Sequence, residues 1–367
     1  MALFTDVFVD VTKLGKKIPT TEYLTSGLHP IFDQGQNTVA GYTNETDGLF
    51  MDVPAIIFGD HTRVLKYIDT PCFLGADGAK LLKAKIGNPN YRYLYYALCH
   101  ADIPNTCYNR HFKWLKEVEI PIPSENEQQQ IVSVLDKVSS MIVLRKQQLT
   151  EMDNLVKARF VEMFGDMLIN DMMWPEVPLE QLADVVSGIT KGRKISDTEL
   201  FEVPYMAVSN VKDGYIDWTT VKTILATQRE IEQYRLLPYD VLMTEGGDPD
   251  KLGRGAVIAK PLENSIHQNH IFRVRLQKEK ILPAFFSEYL QHQKAKRYFL
   301  GCAKQTTGIA SINMTQLRAL PVLTPPMELQ KQFIAFIEQT DKSKLEIQTA
   351  LTKLETLKKA LMQQYFG

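Results

Sequence analysis

Two stretches of the chain carry apolar residues at a seven-residue spacing. In the first, Leu135, Ile142, Leu149, Val156 and Met163 form one stripe; Ile131, Val138 and Met152 form most of its companion, which Arg145 interrupts. In the second, Phe333, Ile347, Leu354 and Leu361 form one stripe and Ile337, Leu351 and Tyr365 the other. A sustained heptad with charged flanks is the pattern of a coiled-coil seam. Each stretch follows a proline-marked stop (Ile120-Pro121-Ile122-Pro123 and Thr324-Pro325-Pro326), after which Pro and Gly vanish until a closing glycine. The spacing predicts a helix from Glu125 to Met163, about 58 Å long at 1.5 Å per residue. That exceeds the needs of a compact domain, so the two helices are expected to pair, antiparallel, as a rod.

The stretches are also copies of one another. Pro123–Gly165 lies on Pro325–Gly367 without a gap, and ten of the 43 aligned positions are identical, among them Pro123/Pro325, Gln128/Gln330, Leu149/Leu351 and Phe164/Phe366. About three identities would arise by chance at ordinary residue frequencies. Fainter echoes precede each helix: Gly15-Lys16-Lys17-Ile18 with Gly192-Arg193-Lys194-Ile195, His29-Pro30-Ile31 with Val203-Pro204-Tyr205, and Gly41-Tyr42 with Gly214-Tyr215. Both regions mix short β-like runs (Ala55 to Phe58, Val241 to Met243, Ile271 to Leu276) with turn signals and a late helical stretch, Tyr91 to Leu98 and Pro283 to Phe299. The expected fold is α+β: two similar mixed α/β domains, 1–120 and 166–322, each followed by a long helix, 121–165 and 323–367, with pseudo-twofold symmetry.

Composition narrows the function classes. Of 367 residues, 44% are hydrophobic and 23% charged, enough apolar material for more than one core. Forty-two basic residues against 43 acidic ones give a net charge of −1, so binding of polyanions by bulk charge is excluded and only local basic clusters remain. Those clusters are Lys13/Lys16/Lys17, Lys191/Arg193/Lys194 and Lys294/Lys296/Arg297. The four cysteines contain no C-x-x-C pair, which argues against a zinc site or a disulfide scaffold. The start, MALFTDVFVDVTK, lacks a basic n-region, and no apolar run approaches the ~20 residues of a membrane span. A soluble cytoplasmic protein is expected.

No catalytic constellation stands out. Asn88-Pro89-Asn90-Tyr91 resembles the Asn-Pro-Pro-Tyr motif of adenine methyltransferases but lacks its second proline, and reads as a turn starting a helix. Gly246-Gly247-Asp248 with Lys251 lacks the spacing of a phosphate-binding P-loop, and Pro249-Asp250 has no acid-x-Lys partner. His267 and His270, three apart on a strand, would point to opposite faces with no third ligand, so no metal is expected. Gly59-Asp60-His61 reads as hydrogen-bonding or turn structure.

Taken in order, these residues resemble the specificity subunit of type I restriction-modification systems. The likeness rests on the duplicated Pro-rich entry with Glu127-Gln128 or Glu328-Leu329-Gln330 leading into a long helix. Further matches are Val203-Pro204-Tyr205, Asn210-Val211, Asp213-Gly214, Gly253-Arg254 and His267-Gln268-Asn269, and, in the first half, Phe58-Gly59-Asp60-His61-Thr62-Arg63 and Gly75-Ala76-Asp77-Gly78. The resemblance implies that each globular region is a target recognition domain reading half of a split, asymmetric double-stranded DNA site, while the paired helices set the gap and dock two modification (methyltransferase) subunits. Restriction/translocase subunits would join them. S-adenosylmethionine, ATP and Mg²⁺ would belong to these partners, and the chain would be non-catalytic within an ATP-dependent type I site-specific deoxyribonuclease and adenine-specific methyltransferase. Donor-rich loop residues suit base edges in the major groove. The candidates are Gln34, Gln36, Asn37, Arg63, Asn109 and Arg110 in the first domain. In the second they are Lys191, Arg193, Lys194, Asn210, Arg254, Gln268, Asn269, Lys304, Gln305 and Thr307. The rival reading is a coiled-coil scaffold for protein partners that binds no DNA; a weaker one is a degenerate DNA-modifying enzyme.

Overall fold

A computed structural model describes every residue except 76–77, 107–108, 195–198, 249–251 and 307–308, and only the backbone of 305, 306 and 309. Thr307, Ile195, Pro249-Asp250, Lys251, Ala76-Asp77 and Cys107 therefore lie outside the described residues. The chain forms two compact units: Met1–Gln148 with Ile347–Gly367, and Leu149–Glu346.

The first unit contains β1 (Ala2–Leu3), α1 (Phe4–Val7), β2 (Phe8–Asp10), β3 (Lys17–Ile18), β4 (His29–Phe32), β5 (Gly41–Thr43) and β6 (Ala55–Gly59). There follow β7 (Leu65–Ile68), β8 (Phe73–Gly75), β9 (Ala79–Ala84), α2 (Tyr91–His100), α3 (Phe112–Leu115) and β10 (Glu119–Ile120), before the long helix α4 (Glu125–Phe164). An antiparallel sheet has the order β2-β9-β6-β7, and a mixed sheet the order β3-β8-β4-β5. The continuous apolar run of β6 is what a strand covered on both faces requires. Ile56 and Phe58 enter a core with Tyr93, Leu94 and Leu98 of α2, whereas Ala55 and Ile57 enter one with Leu74 and Leu81.

The second unit contains β11 (Glu176–Pro178), β12 (Ala183–Ser187), β13 (Phe201–Met206), β14 (Lys222–Ala226), α5 (Gln228–Tyr234), β15 (Val241–Thr244), β16 (Gly246–Gly247) and β17 (Gly255–Val257). Next come β18 (Ile266–His267), β19 (Ile271–Leu276), α6 (Pro283–Gln291), α7 (Gln293–Cys302), β20 (Lys304–Thr306), β21 (Ile309–Ser311), α8 (Met314–Arg318), β22 (Pro321–Leu323) and the second long helix, α9 (Met327–Phe366). Its antiparallel sheet, β12-β19-β15-β17, repeats the first unit's order strand for strand, and β13 lies between β14 and β18 as β4 lies between β5 and β8.

The ladders fix the true correspondence between the halves. Ile31 pairs with Phe73 in parallel and Gly41 in antiparallel fashion; Tyr205 pairs likewise with Ile266 and Lys222, so His29-Pro30-Ile31 does answer Val203-Pro204-Tyr205. Two other echoes need correction. Ile18 pairs with Gly75, and the residue in that position in the second unit is Ile189, bridged to Gln268; the resemblance to Gly192–Ile195 is a coincidence of composition. The counterpart of Gly41 is Lys222 on β14, while Gly214-Tyr215 forms a turn in which the Lys212 amide donates to the Tyr215 carbonyl (3.0 Å). The expected single helix over Pro283 to Phe299 is two. His292 takes extended backbone (φ −75°, ψ 152°), ends α6, and accepts from the Lys294 amide at Nδ1 to cap α7.

Each unit also contains the start of one long helix beside the end of the other, running antiparallel. In the first unit Leu135 shares a buried cluster with Tyr96 and Met362, and Lys146 pairs with Glu355 at 3.1 Å. In the second, Phe160 and Phe164 pack on Phe333 with ring centroids 5.3 and 5.4 Å apart, and Lys344 pairs with Asp153 at 2.7 Å. Along the heptads, Leu135, Ile142, Val156, Phe333 and Leu351 are buried and Leu149, Ile337, Ile347 and Leu354 half-buried. The repeated Pro and Gln do the same thing at each helix entry. The Gln128 amide donates to Pro123 O (3.0 Å) and the Gln330 amide to Pro325 O (2.8 Å), satisfying a carbonyl beside the first turn. Tyr93 and Tyr289 add matching hydroxyl bonds to Pro121 O and Pro321 O. Among the described residues no helix is long and apolar enough to cross a membrane.

Candidate nucleic-acid interface

In the first unit the candidate residues gather around the turn between β6 and β7. Arg63 sits at φ +61° and donates its amide to Gly59 O (2.8 Å), which turns the chain back tightly. Asp60 is 4% exposed: its amide donates to Gly78 O, its carbonyl accepts from the His111 amide, and its carboxylate accepts from the Phe112 amide at 2.8 Å. Gln34 is tied to the same turn, accepting from the His61 amide at Oε1 (3.2 Å) and from Thr62 Oγ1 at its carbonyl (2.6 Å). The Arg63 guanidinium donates to Ile103 O (3.0 Å), and Asn109 donates to Thr106 O. Gln36, Asn37, Asn109 and Arg110 are exposed; Gln34 and Arg63 are half-buried. Gln34 and Arg63 thus meet at this turn, beside the segment that carries Asn109 and Arg110.

In the second unit the equivalent strand end is where β15 meets β16. The Thr244 amide donates to Arg254 O and the Glu245 amide to His270 O. Arg254 is half-buried, its Nε buried without a partner among the described residues. Gln268 and Asn269 are half-buried; the Asn269 carbonyl accepts from Ser187 Oγ (2.6 Å), which holds this turn to β12. The β20–β21 hairpin pairs with β16, bringing exposed Lys304 to the same sheet, with Gln305 opposite Ala310 in the ladder. Lys191 and Lys194 are exposed on the loop before β13.

Two residues chosen from sequence are engaged elsewhere. Arg193 is 18% exposed and grips Glu230 with two nitrogens, Nε to Oε1 and Nη2 to Oε2, each at 2.5 Å, and donates to Leu225 O. The bidentate pair raises the guanidinium pKa and holds the Glu230 carboxyl below its ordinary range, and Glu230 in turn caps α5 with Thr227. Arg193 thus clamps a loop to a helix. Asn210 is 1% exposed and fully committed: Oδ1 accepts from the Ala207 amide, and Nδ2 donates to Asp217 O and Thr220 Oγ1. Neither partner set could be seen in sequence, because Glu230 is 37 residues from Arg193 and an Asn donor in a loop looks the same whether it faces inwards or outwards.

The two histidines of His267-Gln268-Asn269-His270 have separate environments. His267 is fully buried, with Nδ1 donating to Ile271 O (3.0 Å); desolvation, reinforced by Arg273, pushes its pKa down to about 4. His270 is 57% exposed and meets the Glu245 carboxylate at 2.5 Å. Sequence reasoning did not select Glu245, since an isolated acid carries no signal for a partner that binds polyanions. Asn88–Tyr91 is a helix entry: Asn90 caps α2 by accepting from the Tyr93 amide (3.1 Å).

The family model described as "Type I restriction modification DNA specificity domain" matches residues 5–154 and 173–359. The chain belongs to this family. Among its relatives are the putative MjaX specificity subunit of Methanocaldococcus jannaschii (27% identical over 190 residues, 51% of this chain and 45% of the relative) and the EcoKI specificity subunit of Escherichia coli K12 (22% over 266 residues, 68% and 57%). The match therefore spans about half the length of these relatives. The EcoR124I/EcoR124II specificity subunit of Escherichia coli is 23% identical over 350 residues, covering 88% of this chain and 82% of the relative. The fold is that of the type I S subunit of M. genitalium (TM-score 0.56, 16% identity, 100% and 95% covered).

Proposed function

We propose that the chain is the non-catalytic, DNA-binding specificity subunit of a type I restriction-modification complex and reads a bipartite, asymmetric site. The observation that carries this is the duplicated topology with unlike rims: the same strand end presents Gln34, Arg63, Asn109 and Arg110 in one half, and Arg254, Gln268, Asn269 and Lys304 in the other. Residues 1–120 and 166–322 act as target recognition domains, and 121–165 and 323–367 as the helices that space them. Gln36, Asn37, Lys191 and Lys194 would complete the DNA-facing set, with Gln305 and Thr307 added on their sequence alone.

The assembled complex would methylate adenine and cut DNA through its partners, two modification subunits and the restriction/translocase subunits, which bring S-adenosylmethionine, ATP and Mg²⁺. Apolar side chains left exposed on the helices support docking: Met141, Val143 and Leu144 on α4 are each more than half exposed, and Leu345 on α9 is 69% exposed. In the first unit Met141, Leu144, Arg145 and Gln148 face Ala350, Lys353 and Leu354 across a groove of about 500 Å³.

The test is a genome-wide map of methylated adenines in cells carrying a partner methyltransferase, with and without this chain. Split, asymmetric motifs should appear only with the chain; identical maps, with the methyltransferase expressed and bound, would end the reading. A four-residue insertion in α4, about one turn, should lengthen the preferred gap between half-sites.

A further inference from the structure

The ladders make residues 60 and 245 equivalents: each follows the strand in the same place of the same sheet, donates its amide across to the next strand's start, and accepts at its carbonyl from a residue just before a short helix (His111 or Ile312). In the first unit the acid at this junction is structural, because Asp60 is buried and caps the entry to α3. In the second unit that capping role has moved to Asn313, which accepts from the Gln316 amide at 2.9 Å and starts α8. Glu245 is thereby released. Its side chain, one methylene longer, turns outwards, is 33% exposed, and gives one oxygen, Oε2, to His270 Nδ1. Among the described residues Oε1 takes no hydrogen bond.

This acid lies on the rim that presents Arg254, Gln268 and Asn269. An outward carboxylate there repels phosphates, so near a duplex it is stabilised only when aimed at a base edge that offers a donor. In the major groove those donors are exocyclic amino groups, N4 of cytosine and N6 of adenine. Gly246 follows directly, held so close to β21 that an added Cβ would stand 3.0 Å from Ala310 O, so this position itself places no side chain beside the carboxylate. We propose that Glu245 is a specificity-determining residue of the second half-site, accepting from an exocyclic amino group through Oε1 while His270 acts as a positioning residue that holds Oε2. This rests on the reading of the second unit as a DNA reader.

The experiment is the adenine-methylation map in cells expressing the partner methyltransferase with the wild-type chain or with E245Q, E245A, H270A or H270N, each variant first matched to wild type in thermal melting. Wild type should give a split motif. E245Q and E245A should relax one position of one half-site, cutting discrimination there about tenfold, and leave the other half-site intact. H270A should relax the same position, and H270N, which keeps a donor to Oε2, should restore it. The base pair accepted by wild type at that position, C·G or A·T, identifies the amino group. A split motif unchanged in all four variants, or uniformly weaker methylation with no change of motif, overturns the assignment of Glu245 alone. No chain-dependent motif in wild type overturns the underlying reading as well.

Discussion

Asp60 and Glu245 occupy equivalent ladder positions, yet Asp60 is locked inside its unit and Glu245 is a third exposed. Ile18 and Ile189, Leu74 and His267, and Phe32 and Met206 are likewise ladder equivalents, and only the first of these pairs keeps its side chain. What the two units share is backbone pairing, the helix-entry bonds of Gln128 and Gln330, and the hydroxyls of Tyr93 and Tyr289. What differs most sits at strand ends. A sheet whose register is fixed by interior pairing can exchange rim residues without losing that register.

That comparison can be tested most severely at the helix bases. Phe333 is fully buried among Phe160, Phe164 and Phe285, whereas Ile131, its partner in the repeat, is half-buried. Phe333→Ala should cost about 3–5 kcal/mol and Ile131→Ala about 1–2, measured by denaturant unfolding with Trp174 reporting the second unit and Trp114 the first. Equal losses would mean the two bases are not packed as differently as they look.

A pH titration separates the units next. The folded His267 value near 4 lies below the ordinary imidazole value of 6.5, so the unfolded chain takes up the proton first. Stability of the second unit is therefore complete above pH 6.5 and should fall by up to about 3 kcal/mol as pH drops towards 4. Leu74 holds the equivalent place in the first unit and does not titrate. His267→Gln should remove this window; an unaltered slope would place its origin elsewhere.

Gln330 is fully buried and also accepts from the Leu282 amide, while Gln128 is 8% exposed with its single bond to Pro123. Gln330→Ala strands the Pro325 and Lys280 carbonyls and the Leu282 amide and should cost about 2–3 kcal/mol, against about 1 for Gln128→Ala, read from the same unfolding curves. The smallest effect is expected at the loop before β13. Arg193→Ala should lower stability by no more than about 1 kcal/mol without altering base preference. Lys191→Ala should leave stability alone and reduce the salt slope of DNA binding by about 1.

The long helices were legible in sequence because a heptad is a local, repeated signal. The expected span, Glu125 to Met163, differs from α4 by one residue. Central strands were legible for a similar reason, their apolar runs being as continuous as burial on both faces demands. The prolines at 30 and 204 marked true register, since Pro is restricted to few ladder positions. Lysine-rich segments such as Lys16-Lys17 and Arg193-Lys194 carry no such restriction, and matching them misaligned Ile18 by six residues. Among the candidate readers, Arg63 and Asn269 sit on turns beside strand ends, whereas Arg193 and Asn210 are held by distant or inward-facing groups that sequence does not reveal. Inside Pro283–Phe299, amphipathic spacing continues through His292 although the backbone does not.

Tyr93 packs on Phe366 at 5.4 Å across 273 residues of chain. During synthesis, the first unit therefore emerges long before the segment that closes it. At about 5–20 residues per second, Ile131, Leu135 and Tyr96 wait on the order of tens of seconds for Leu361, Met362 and Phe366. Until then the apolar face of α2 and of the start of α4 that these residues cover stays open to water.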